Sequence, residues 1–204
     1  MNMTTVTERK SLKKSTLCFI LAFCLVVVVP GQAMATENYY VFDSVNTKID
    51  FGLRVLGLKK ITGEFGKIKG KAIISRDNQR QNFINITISS DSVRNDSTYI
   101  ERRMKSDDFL NTTVFPTINF QSNSFEWTAQ DDIVIIGPLT LHGITKEIKW
   151  VARMVNSREL SQEQSFYRVN AVISRSDFGM TKGLPFISDK ITLNIEIQAS
   201  LPQG

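Results

Sequence analysis

Ile191-Thr192-Leu193-Asn194-Ile195-Glu196-Ile197-Gln198 alternates apolar and polar residues without a break. A period of two puts Ile191, Leu193, Ile195 and Ile197 on one face of an extended strand and the polar set on the other. Such a strand has one dry face and one wet face. The same pattern recurs toward the N-terminus. Ile148 and Trp150 flank Lys149, Ile118 and Phe120 flank Asn119, and Ile84, Ile86 and Ile88 alternate with Asn85, Thr87 and Ser89. Ile49, Phe51, Leu53 and Val55 alternate with Lys48, Asp50, Gly52 and Arg54. Turn signals lie between these runs, including Gly63, Gly66, Gly70, Asp77-Asn78, Asp131-Asp132 and His142-Gly143. Many half-buried strands at short spacing specify a sandwich or a barrel, and alternation alone does not choose between them.

One stretch has a different period. From Asp96 to about Ser106, Tyr99, Ile100 and Met104 recur at helical spacing with Glu101, Arg102, Arg103 and Lys105 between them. This predicts a single amphipathic helix whose apolar stripe covers an open end or seam of the sheet.

The N-terminus has the three parts of a secretory signal. Arg9, Lys10, Lys13 and Lys14 precede an apolar run from Leu17 to Val29, and Ala33-Met34-Ala35 supplies a small-residue cleavage site. The run has 13 residues, whereas a helix crossing a bilayer takes about 20. Cleavage after Ala35 and release into the periplasm are therefore expected, with an uncleaved anchor as the competing reading. A lipoprotein fits less well, because Phe23 stands where a small residue should precede Cys24. Both cysteines, Cys18 and Cys24, leave with the signal, so residues 36–204 form one domain without thiol chemistry or disulfides. The signal also removes four Lys/Arg and one Glu, leaving 21 basic against 19 acidic residues of the chain's 25 and 20. That near balance, and the compartment, argue against a nucleic acid partner.

Enzyme chemistry finds little support. The sequence contains no G-x-S-x-G, no H-E-x-x-H and no phosphate-binding glycine loop. A Ser-His-Asp triad would have to use His142, the single histidine, which lies in the turn Leu141-His142-Gly143 with no nucleophile motif beside it. One histidine with scattered carboxylates gives no metal-ligand spacing, so neither a metal nor a catalytic cofactor is expected.

Three motifs carry a resemblance. Gly137-Pro138-Leu139-Thr140-Leu141-His142-Gly143-Ile144-Thr145-Lys146, Ser174-Arg175-Ser176-Asp177-Phe178-Gly179-Met180, and the segment from Phe109 through Phe115-Pro116-Thr117-Ile118-Asn119-Phe120 occur in that family's pattern and order. With the opening strand Asn46-Thr47-Lys48-Ile49-Asp50-Phe51, the chain resembles the polyisoprenoid-binding YceI-like family across nearly all of residues 36–204. It departs where the family commonly has histidines: Asn46-Thr47 replaces His-Ser or His-Thr, Val55-Leu56-Gly57 replaces H-L-G, and Ile100-Glu101-Arg102-Arg103-Met104 replaces R-D-x-H-L. Any role of those histidines does not carry over.

The resemblance implies an extended eight-stranded antiparallel lipocalin-like β-barrel with one packed helix and a hydrophobic pore for a long isoprenoid, such as a polyprenyl chain or quinone. A barrel of about eight strands is wide enough for its own side chains or one slender ligand. The expected pore lining starts with Ile49, Phe51, Leu53 and Val55 and continues with Ile84, Ile86, Ile118 and Phe120. Leu139, Leu141, Ile148 and Trp150 follow, then Val169, Ile173, Leu193 and Ile195. Phe178, Met180 and Phe186 belong to an apolar, glycine-containing connector that reads as a lid over the pore or a plug within it. The same inward residues would equally make a filled core. A fatty acid or other amphiphile is the alternative ligand, and a filled-barrel accessory of a membrane redox protein is the alternative role. Transient contact with a membrane or membrane protein, and a homodimer, are further partner expectations. Arg175 and Asp177 could meet a polar headgroup or pair with neighbouring polar groups. Lys67, Lys69 and Lys71 read as a solvated outer face, with docking to anionic lipid as the alternative.

Overall fold

The computed structural model describes residues 38–75, 79–128, 132–155 and 164–200; the expected signal, residues 1–35, lies outside them. The alternating runs form β1 (Asn38–Asp43), β2 (Thr47–Val55), β3 (Lys59–Phe65), β4 (Ile68–Ile74), β5 (Phe83–Ser89) and β6 (Val93–Arg94). After the helix come β7 (Thr117–Gln121), β8 (Ser124–Trp127), β9 (Ile133–Leu141), β10 (Ile144–Val155), β11 (Gln164–Ser174) and β12 (Lys190–Ser200). They join in one antiparallel sheet ordered β1-β4-β5-β7-β9-β10-β11-β12-β2-β3-β6, with β8 also paired to β9. The sheet curls so that β3, near one end of this order, runs on through Gly66 and Lys67 into β4, near the other. This is the curled, lipocalin-like antiparallel architecture that the alternation and the resemblance lead to.

Among the described residues the sheet has twelve strands where eight were expected. Three long runs are broken by bends, and this accounts for most of the difference. β3 and β4 divide at Gly66 and Lys67, β5 and β6 at the 3-10 turn Ser90–Ser92, and β7 and β8 at Ser122 and Asn123. Pairing continues round the first two bends, because Gly66 N donates to Ser92 O at 3.0 Å and Ser89 N to Lys67 O at 3.0 Å. At the third, the Gln121–Ser122 backbone passes over β9 so closely that a Cβ on Gly137 would lie 2.0 Å from Gln121 O. Only glycine fits that crossing. Joining each broken run leaves eight long strands and the N-terminal β1, which pairs with β4 from Asn38↔Ile74 to Asp43↔Lys69.

The helix is α1 (Thr98–Lys105), with Ser97 at its N-cap. Its expected stripe is only partly used: Met104 faces the barrel interior, while Tyr99 is 71% exposed. The core is the concave side of the sheet, where Phe42, Ile68, Ala72, Ile118, Val169 and Ile195 are buried.

Candidate functional site

Inward-facing residues fall into two groups. Some are buried almost completely even where they touch the cavity, such as Ile49, Ile118 and Ile195. Phe51, Leu53, Ile86, Trp150 and Leu193 point the same way yet remain only half-buried, because they border a cavity of about 130 Å³. Its wall is apolar apart from Arg175.

Much of the expected lining meets here. Ile49, Phe51 and Leu53 of β2 face Leu193 and Ile195 of β12, with Ile173 of β11 beside them. Ile86, Ile118 and Phe120 come from β5 and β7, and Leu139, Leu141 and Trp150 from β9 and β10. Phe120 and Trp150 stack with ring centroids 5.3 Å apart. Met180, from the connector after β11, adds a flexible thioether.

Other expected lining residues lie elsewhere. Ile84 and Val169 are packed in the core away from the cavity. Ile148 packs against that core, and Val55 ends β2 in a bridge to Ile187. Phe178 is buried at 2% exposure, as a plug would be, whereas Phe186 is 64% exposed and covers nothing. Alternation gives the side of the sheet but not the depth along it, so it could not separate these cases. The cavity also takes residues that the expected lining omitted. Ile88 and Ile191 continue alternating runs already recognised, and Met104 belongs to the helix stripe. Phe65, Phe109, Leu110 and Arg175 complete the wall; Phe109 and Leu110 sit in an irregular segment with no period to betray them.

Arg175 is a structural cation. It is 1% exposed; its Nε donates to Ser188 O at 3.0 Å, one guanidinium nitrogen to Met180 O, and the other to Ile187 O at 3.0 Å. Burial pushes its pKa below the ordinary arginine value, and the nearby Asp189 charge partly offsets this. Its donors thus fold the connector over the end of the barrel, while Asp177 is exposed to solvent. Asp189 in turn accepts from Ser176 N at 2.9 Å. That hydrogen bond, followed by one from the Ser176 side chain, holds the Asp189 carboxyl below its usual value.

Asp108 joins two sides of this end. It receives Arg103 at 2.8 Å and Lys182 at 3.4 Å, linking the helix to the connector. Burial alone would raise the Asp108 pKa, but the hydrogen bonds from Arg103 and Lys182 outweigh it and lower the value.

His142 holds the β9–β10 turn. Its Nδ1 lies 3.1 Å from Phe178 O, so Nδ1 carries the proton in that bond. The ring packs on Phe115 at 4.6 Å. This is an anchoring arrangement, with its nitrogen directed at a backbone carbonyl and not at a nucleophile. Lys67, Lys69 and Lys71 project from the outer face, with Lys71 Nζ 5.8 Å from the Phe83 ring centroid. A larger groove of about 970 Å³ lies on the outside of β11, β12, β2 and β3, where Asn170, Asn194, Asp50 and Glu64 form a cross-strand row. It is open and polar.

Comparison with known proteins agrees with this geometry. The YceI-like domain model matches residues 40–199. Protein YceI of Salmonella arizonae is 26% identical over 189 residues, covering 92% of this chain and 97% of the relative. A UPF0312 protein of Pectobacterium carotovorum is 26% identical over 170 residues, covering 82% and 88%. Among solved structures, Burkholderia cenocepacia BcnA superposes with TM-score 0.70 at 15% identity, covering 78% of this chain and 99% of that one. A polyisoprenoid binding domain from Saccharophagus degradans gives 0.62 at 16% identity, covering 81% and 99%. The chain belongs to the YceI-like domain family.

Proposed function

We propose that this protein is a non-catalytic periplasmic carrier that holds a long-chain isoprenoid lipid, a polyprenyl chain or isoprenoid quinone, in the barrel cavity after removal of residues 1–35. The observation that carries the reading is the cavity wall, which offers a chain apolar burial on every side and takes its one cation, Arg175, out of play through backbone carbonyls. Family membership supports it, as does the likeness to a fold whose Saccharophagus degradans representative is a polyisoprenoid binding domain.

Size sets the main demand on this reading. A cavity of about 130 Å³ is comparable to one that admits a single benzene, of roughly 150 Å³, and a long chain needs several times more. Loading therefore requires Met104, Phe109, Leu110 and Met180, all contributed by loops or the helix end rather than the sheet, to move outward. The small volume equally favours a second reading, a filled barrel acting as an accessory to a membrane partner.

A titration separates the two. Trp150 lines the cavity and the chain has two tryptophans, so a Trp127→Phe background isolates its fluorescence. Adding a short-chain isoprenoid quinone to delipidated protein should quench Trp150 saturably at one ligand per chain, with a polyprenol competing. Absence of saturable quenching, or competition by fatty acid alone, would overturn the isoprenoid assignment.

A further inference from the structure

The β2–β3 turn breaks two rules of local structure. Leu56 and Gly57 have φ of 51° and 70°, the mirror-image hairpin turn whose first position favours Asn, Asp or Gly. A leucine there is strained, and it recovers nothing by burial, since Leu56 is 65% exposed and Leu58 86%. Beside the turn, Arg54 and Lys60 stand directly opposite each other on β2 and β3. Like charges so placed repel, and among the described residues no carboxylate pairs with Arg54, Lys59 or Lys60. Broken local rules with no compensating contact inside the fold point to a contact outside it.

The surroundings specify that contact. Leu56 N donates to Phe186 O at 2.7 Å, so the exposed Phe186 ring belongs to the same apolar tip. The cavity comes to this end of the barrel: Leu53 lies three residues before Leu56 on the same hairpin, and Met180 lines it from the connector that carries Phe186. Apolar side chains projecting beyond a collar of unpaired cations match a bilayer surface, with acyl boundary for the tip and phosphates for the collar.

We infer that Leu56, Leu58 and Phe186 form a docking foot that enters the headgroup layer of a membrane containing anionic phospholipid, with Arg54 and Lys59 on the phosphates. Docking brings the mouth of the cavity to the source of its ligand. The inference deepens the lipid-carrier reading and rests on it for its purpose, though the docking itself is measured separately.

The test is co-sedimentation with vesicles of phosphatidylethanolamine and phosphatidylglycerol, using wild type and variants whose identical N-termini are verified by intact mass. Wild type should pellet with these vesicles and bind phosphatidylcholine vesicles about tenfold less well. Leu58→Ser/Phe186→Ser and Arg54→Glu/Lys59→Glu should each lose most of the anionic-vesicle binding while unfolding at the wild-type temperature. Leu58→Trp should show a blue shift of emission on adding the vesicles. Equal pelleting of wild type and both double variants, or no pelleting by wild type, would overturn the inference. So would a dimer in light scattering that the Leu58→Ser/Phe186→Ser variant dissolves, since the tip would then bind a second copy. Protein that docks yet yields no lipid would leave the foot in place and remove the carrier reading; lipid-loaded protein that does not dock would do the reverse.

Discussion

Trp150 and Phe120 stack nearly parallel, 11° apart in plane, on the wall of the barrel cavity. They come from β10 and β7, on either side of β9, so the pair spans a strand and fixes the cavity's width there. Trp150→Ala should lower the stability of lipid-free protein by about 3–5 kcal/mol, from lost burial and the larger void. Urea unfolding with the slope unchanged would measure this; a loss under 1 kcal/mol would mean that the ring packs poorly.

Leu193 and Ile195 face the same way two residues apart and both line the cavity, yet Ile195 is 4% exposed while Leu193 is only half-buried and leaves more free space around it. Leu193→Trp should therefore fill the cavity, reducing co-purifying lipid with little change in the Tm of lipid-free protein. Ile195→Trp should overpack and cost about 1–3 kcal/mol. Thr192→Trp, on the exposed outer face, should leave lipid content as in wild type.

Arg175 satisfies three connector carbonyls from a buried position. Arg175→Met strands them, and a loss of about 3 kcal/mol in thermal or urea unfolding is expected. Arg175→Lys should not restore the wild type, because a single ammonium cannot reproduce the planar fork. Full rescue by lysine would show that charge alone matters.

Asp108 holds a lowered pKa through Arg103 and Lys182, against the opposing effect of burial. A carboxyl that is more acidic folded than unfolded stabilises the fold above its unfolded value, near 3.8, and that contribution disappears as pH falls through the lower folded value. Wild type should thus lose more stability than Asp108→Asn on acidification below about pH 4, and salt should shrink the difference. Identical acid unfolding profiles would show that the link contributes nothing.

The fold was legible because period-two alternation survives in almost every strand, and Ile191 to Gln198 is the plainest case. The bends were not, since the residues that make them, Gly66-Lys67, Ser90–Ser92 and Ser122-Asn123, carry no pattern that distinguishes a bend from a strand end. In the site, alternation placed Phe51, Phe120 and Leu193 on the cavity side of the sheet. It gave no account of Phe109 and Leu110, whose positions depend on tertiary contacts, nor of Phe186, whose apolar side chain faces solvent. The motif around Arg175 marked an important residue, but only the carbonyls of Met180, Ile187 and Ser188 define what it does.

A carrier must hold a lipid in the apolar cavity of the native protein. Organic extraction of freshly isolated protein, followed by mass spectrometry against a mock purification, tests it most directly. One isoprenoid lipid per chain is expected, diminished in Leu193→Trp and retained in Thr192→Trp. Protein that is folded and monodisperse but yields no lipid above the mock would contradict it, and would make the barrel interior a packed core.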